Sequence, residues 1–256
     1  MSVRVCVAGA AGRMGMESVK ALAQADGIEV VAAVDRVRIG ETAYPGAPAL
    51  SADLGAGLAD ATVLLDFTHP EVAADNASLA LSRGVAVVIG TSGVSRDQLD
   101  RLRVQAEEAQ TPVLVVPNFA IGAVLMMQFA ALAAKWMPSA EVIEMHHDQK
   151  LDAPSGTATR TAEIIASSRN QAPAVKEGTI MKVACARGGM VESVPVHSVR
   201  LPGLVAHQMI LFGGPGETLT IRHDSLDRTS FMPGVVLAVR RVWELEGLRI
   251  GLDTVM

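Results

Sequence analysis

His146, His147 and Lys150 stand close together just upstream of Pro154-Ser155-Gly156-Thr157, a turn that must open a helix. A histidine titrates near neutrality and suits proton transfer, and a lysine neutralises a bound anion. Ser155 or Thr157 can cap the helix. The N–H groups around Gly156 then form an anion nest, reinforced by the helix dipole, that a substrate carboxylate fits. Two surface histidines beside a capped helix would be the plainer reading, but it leaves three potential cations before an anion-binding turn unexplained. Adjacent side chains on a strand point to opposite faces, and no third or fourth ligand sits at usable spacing, so no metal is expected here.

A second group of residues could hold a dinucleotide. Gly9-Ala10-Ala11-Gly12-Arg13-Met14-Gly15 follows an aliphatic run directly, and its glycines let the backbone approach a pyrophosphate at the start of a helix. Asp35 ends the next aliphatic run about 20 residues further on, where a carboxylate accepts hydrogen bonds from the adenosine ribose. Arg36 beside it can hold a 2′-phosphate, so the pair does not choose between NADH and NADPH. Gly90-Thr91-Ser92-Gly93 and Val116-Pro117-Asn118-Phe119 end two further runs, and in an open α/β sheet ligands collect at such strand ends. Thr91 and Asn118 could fix the nicotinamide ribose and carboxamide, or serve only as turn residues. Asp66-Phe67-Thr68-His69-Pro70 ends another run, where His69 reads as a loop residue.

The elements that must position these groups are legible in the texture of the chain. Continuous runs at Val3 to Ala8, Ile28 to Val34, Ala61 to Phe67, Val85 to Ile89 and Val113 to Val116 suit strands covered on both faces. Helix-compatible stretches lie between them at Met14 to Ala25, Val72 to Arg83 and Asp97 to Ala109, the last capped by Ser95 or Asp97. The fold expected is α/β: a Rossmann-like doubly wound parallel sheet with a second, α+β domain on a mixed or antiparallel sheet. Gly122 to Met137 reads as a buried helix, followed by another from Ala158 to about Ser168. Alternating segments such as Glu217 to Arg222 read as antiparallel strands. A final helix, Pro233 to Glu244, with Arg240 and Arg241 on its outer face, is expected to pack back on the first domain. The division is therefore 1–119 plus about 226–256 for the dinucleotide, and about 120–225 for substrate and oligomer contacts.

Composition narrows the function. Of 256 residues, 50% are hydrophobic and only 19% charged, which excludes global disorder. The longest apolar stretch is broken by Gln128 and Lys135 and falls short of the roughly 20 residues a membrane crossing needs. The start of the chain runs into a strand without the pattern of a secretory leader, so a cytoplasmic protein is expected. A net charge of −5 and 3% aromatics lack the basic face and stacking rings that nucleic-acid binding uses. Cys6 and Cys185 lie far apart in apolar segments and read as buried free thiols.

The segment Glu144-Met145-His146-His147-Asp148-Gln149-Lys150-Leu151-Asp152-Ala153-Pro154-Ser155-Gly156-Thr157 resembles the signature of dihydrodipicolinate reductases. The glycine turn, Asp-Phe-Thr-x-Pro, Gly-Thr-x-Gly, Pro-Asn-Phe-Ala-Ile-Gly and Ile221-Arg222-His223-Asp224-Ser225 are similar to that family too, in family order across the chain. The resemblance implies reduction of 4-hydroxy-tetrahydrodipicolinate to tetrahydrodipicolinate with loss of water, on the route to diaminopimelate and lysine, using NADH or NADPH. It implies that His146 is a proton donor or acceptor, Lys150 a second proton donor and His147 a substrate contact, with Gly156 and Thr157 holding a carboxylate. It also implies a homotetramer formed through the second domain. Asp148 and Gln149 depart from relatives that are basic there, and Ser92 replaces a common threonine while keeping a hydroxyl. A related imine or aldehyde-level dehydrogenase would keep the glycine turn without needing the His-His-Lys group. A dinucleotide-sensing regulator would need a docking or DNA-binding segment, which the sequence does not offer.

Overall fold

A computed structural model describes residues 2–91, 93–171, 173 and 180–256. By contacts the chain divides into two compact units, residues 1–121 with 228–256 and residues 122–227.

In the first unit, β1 (Val3–Ala8), β2 (Ile28–Val34), β3 (Leu50–Ser51), β4 (Val63–Asp66), β5 (Ala86–Ile89), β6 (Val113–Val115) and β12 (Leu248–Ile250) form one parallel sheet. The order is β12-β6-β5-β4-β1-β2-β3, so chain direction across the sheet reverses between β1 and β4. β4 and β5 are buried along their whole length, which is why their sequences are unbroken aliphatic runs rather than alternating ones. Side chains such as Leu64, Val87 and Ile89 are fully buried, each contributing about 1.5–3 kcal/mol relative to an exposed position.

The crossovers are α1 (Arg13–Ala23), the short α2 (Leu54–Gly57), α3 (Pro70–Leu81) and α4 (Arg96–Glu108). α3 begins two residues before the Val72 expected from sequence, because Pro70 occupies its first turn, where a missing N–H costs nothing. α4 is capped by Ser95, not Asp97, in a reciprocal box with Gln98. At the C-terminus, α7 (Met232–Arg241) buries Val235, Ala238 and Val239 within this unit, and a 3-10 turn continues it from Val242 to Glu244. β12, which sequence patterning did not anticipate, then extends the sheet beside β6; three residues are too few to carry a period.

In the second unit, α5 (Ile121–Ala134) and α6 (Gly156–Ser168) accompany a five-stranded mixed sheet. Its strands are β7 (Ser139–His146), β8 (Gly189–Val191), β9 (Val194–Arg200), β10 (Ala206–Gly214) and β11 (Glu217–Ser225), in the order β11-β10-β7-β9-β8. Only the β7–β9 pairing is parallel. Val142, Val194, Val196, Ile210 and Phe212 face Met126 and Ala130 of α5 and Ala158, Ala162 and Ile165 of α6 in one core.

Two expectations need correction. α5 is not buried all round: Ala123, Met126, Ala130 and Ala134 are, whereas Phe129 and Leu132 are exposed, so an unbroken apolar composition hides a one-sided helix. Cys6 is buried, but Cys185 is exposed, because it sits in a turn with φ of 59° among exposed neighbours rather than in a strand. Among the described residues no helix is long and apolar enough to cross a membrane.

Candidate active site

In the first unit the glycine turn is tied down where β1 meets β2. The N–H groups of Gly9 and Ala10 both donate to the Val34 carbonyl, at 2.9 and 3.1 Å. Gly9 has φ of +75°, and a Cβ there would stand 2.6 Å from the Phe67 carbonyl oxygen. A Cβ on Gly15 would stand 2.1 Å from the Gly9 oxygen, so α1 packs directly on the turn. Gly12 caps α1 without a side chain, and Arg13 and Met14 begin the helix, with Arg13 exposed. A first helical turn with no side-chain cap and a backbone pressed close by glycines has the donors and the room that a pyrophosphate requires.

Asp35 lies beside this turn. Its Oδ2 accepts the Ala11 N–H at 2.9 Å and its Oδ1 accepts the N–H groups of Arg36 and Val37 at 2.7 and 3.2 Å, while Arg36 is exposed. Thr91 is buried, and its hydroxyl donates to Asp66 and the Thr68 carbonyl, so it locks the loop. Gly90 sits against two rings: a Cβ there would lie 2.2 Å from Phe67 and 2.8 Å from Phe119. Those rings pack at 5.6 Å, and Val116 and Phe119 are buried while Pro117 is exposed. Asn118 accepts the Ala120 N–H at 2.9 Å. Ser92 lies outside the described residues. His69 precedes α3 at its cap position and offers that helix no side-chain hydrogen bond.

In the second unit the histidine segment leaves the end of β7. Glu144 and His146 share one face of that strand, and the Glu144 carboxylate meets His146 Nδ1. Glu144 is fully buried. Burial alone would raise its pKa, but hydrogen bonds from His146, Arg200 and Ser198 outweigh it and hold the carboxyl at about 2. His147 is exposed just past the strand, and its carbonyl accepts the Lys150 N–H at 3.2 Å. Lys150 Nζ lies 2.7 Å from Asp152 Oδ1, and that hydrogen bond holds the Asp152 carboxyl below its ordinary range.

Ser155 caps α6, accepting the Ala158 N–H at 3.2 Å, so of the two candidates it is the serine that caps. Gly156 and Thr157 open the helix. A Cβ added to Gly156 would meet nothing within 4 Å, so no neighbour in the chain demands a glycine there. Open space at the electropositive end of a helix admits an approaching anion. Glu144 and Arg200 received no role from spacing. The alternation of Glu144 with His146 on a strand was a usable signal for the first. Arg200 carried none, since β9 reaches β7 only through sheet pairing. Among the described residues no group of three or more His, Cys, Asp or Glu is placed to hold a metal ion.

Residues 3–119 match the family described as dihydrodipicolinate reductase, N-terminus, and residues 122–256 match its C-terminus. The chain belongs to the dihydrodipicolinate reductase family. Curated relatives include the 4-hydroxy-tetrahydrodipicolinate reductases of Moorella thermoacetica, 47% identical over all of this chain and 98% of that protein, and of Bacillus cereus, 46% identical over 99% and 98%. A solved dipicolinate-bound dihydrodipicolinate reductase from Paenisporosarcina sp. TG-14 superposes with a TM-score of 0.90 at 43% identity, each chain covered completely. A probable dehydrogenase from Thermotoga maritima shares the fold at 12% identity, with a TM-score of 0.70 over 98% of this chain and 92% of that one. As a dihydrodipicolinate reductase the chain is a nicotinamide-dependent oxidoreductase, and its first unit contains the nucleotide-binding half.

Proposed function

We propose that this chain reduces 4-hydroxy-tetrahydrodipicolinate to tetrahydrodipicolinate, consuming NADH or NADPH and one proton and releasing water, on the route to diaminopimelate and lysine. The observation that carries the reading is the placement of His146, Lys150 and the Gly156–Thr157 helix start, with open space at Gly156, along one short segment of the second unit.

The nicotinamide, when bound, supplies the hydride. The chain's own residues do the rest. Gly9, Ala10, Ala11, Gly12, Arg13 and Met14 receive the pyrophosphate through the turn and the start of α1, and Asp35 and Arg36 take the adenosine ribose and any 2′-phosphate. Gly90, Thr91, Ser92, Val116, Pro117, Asn118 and Phe119 complete the cofactor side. The first-turn donors of α1 and the glycine positions that exclude a Cβ support this assignment. Gly156 and Thr157 hold one carboxylate of the substrate at the start of α6, and His147 touches the ring or its second carboxylate. Lys150 neutralises one carboxylate of the dianion, and with His146 it supplies the proton that quenches charge developing on the reduced ring. The dipicolinate in the Paenisporosarcina relative is a ring of the same dicarboxylate class.

The functional division follows 1–119 plus about 226–256 for the cofactor and about 120–225 for substrate and oligomerisation. A homotetramer built through the second unit fits its sheet. Ile143, Met145, Val199, Met209 and Leu211 are only partly buried on the face turned away from α5 and α6. We place the enzyme in the cytoplasm, where reduced nicotinamide is supplied.

The test is the initial rate of NADH and NADPH oxidation with the product of dihydrodipicolinate synthase, for the native protein and for His146→Gln and Lys150→Met. Native turnover that collapses in both variants is expected. Tight dinucleotide binding without native turnover would overturn the substrate assignment.

A further inference from the structure

Three chain segments converge on one buried carboxylate in the second unit. Glu144 Oε2 meets His146 Nδ1 and lies 2.9 Å from Arg200 Nη1, while Oε1 lies 2.8 Å from Arg200 Nη2 and accepts the Ser155 N–H at 3.3 Å. Arg200 also donates to the Asp152 carbonyl, at 2.7 Å, and to the Val199 carbonyl, at 2.8 Å. The register places Ser198 opposite Glu144 and Arg200 opposite His146, so the sheet itself fixes the pairing.

We propose that Glu144, pinned by Arg200, is a positioning residue for the reaction: it holds the Nδ1–H of His146 and leaves Nε2 as the ring atom that transfers the proton. The inference rests on the role given to His146 above. The partner of one imidazole nitrogen decides the tautomer and which nitrogen is available. When the charged ring gives up its Nε2 proton to the substrate, the N–H bond at Nε2 breaks and the neutral Nδ1–H tautomer remains, which is the form the carboxylate already supports. No ring rotation is then needed between turnovers. Glu144 stays ionised throughout the working range and is not itself the proton donor. The same pair ties the Asp152 end of the Lys150 loop and the start of α6 to that ring.

The test reads the ring directly. Nitrogen-15 spectra of histidine-labelled full-length protein, with His146 assigned by its loss in His146→Gln, are expected to show neutral His146 protonated at Nδ1. In Glu144→Gln the population is expected to move toward the Nε2–H tautomer. The kcat should fall on the order of 100-fold while KM for the dicarboxylate changes little. If Glu144→Gln fails to fold because Arg200 is left unpaired, Glu144→Gln combined with Arg200→Met removes both charges and carries the same expectation. A native Nε2–H ring, or a folded variant with undiminished kcat, overturns the proposal. Absence of native turnover would sink the assigned reaction instead, and the resting tautomer would still report on Glu144.

Discussion

Thr91 Oγ1 lies 3.1 Å from Asp66 Oδ1, joining the loop after β5 to the end of β4 through a carboxylate that is completely buried. Asp66 also accepts the Thr68 N–H at 2.9 Å, the Thr68 hydroxyl at 2.6 Å and the Asn76 side-chain amide at 2.8 Å. Thr91→Val keeps the shape and removes one of these donors. We expect a loss of about 1–3 kcal/mol in stability and weaker NADH binding, because a hydrogen bond to a buried carboxylate is lost and the loop is released. Thermal unfolding and NADH fluorescence titration check this. A variant as stable as the native protein would contradict it.

Acid stability should carry the mark of Glu144. Its pKa falls from 4.5 to about 2 on folding, a depressed value. The stabilisation is therefore fully present above the unfolded pKa and is lost as pH falls from near 4.5 toward 2. The amount at stake is roughly 3 kcal/mol. Denaturant unfolding of the native protein and of Glu144→Gln at a series of pH values would measure it. The native curve should fall more steeply with acid across that window, and parallel curves would refute the linkage.

The two thiols should behave differently. Burial, with the nearby Asp66 charge adding to it, pushes the Cys6 thiol up to about 12, whereas Cys185 is exposed in a turn. Because the thiolate is the reactive form, iodoacetamide at neutral pH should label Cys185 rapidly and Cys6 only after unfolding. Mass spectrometry of the native and denatured protein, with Cys185→Ser as a control, reads the outcome. Fast native labelling of Cys6 would show that the β1 core opens.

The doubly wound sheet was legible because β4 and β5, buried on both faces, must be continuous aliphatic runs. α4 was legible through its helix-compatible composition behind two cap candidates, Ser95 and Asp97, of which the structure uses Ser95. β12 and β3 were not, since strands of three and two residues are too short to show a period. The exposed side of α5 was hidden for a related reason: an all-apolar stretch has no polar stripe to mark which face meets solvent.

The sequence by itself determined which local chemistry was on offer. It placed a glycine turn ahead of a helix, an acid at the end of the next strand, and two histidines and a lysine before a helix cap, because spacing along the chain dictates such features. Only the tertiary structure decided how these groups are held. Glu144 meets Arg200 from 56 residues away, and Thr91 meets Asp66 from 25 residues away, through pairing across sheets. Strand pairing depends on which segments bury their faces together, and that free energy belongs to the assembled core rather than to any short stretch of chain.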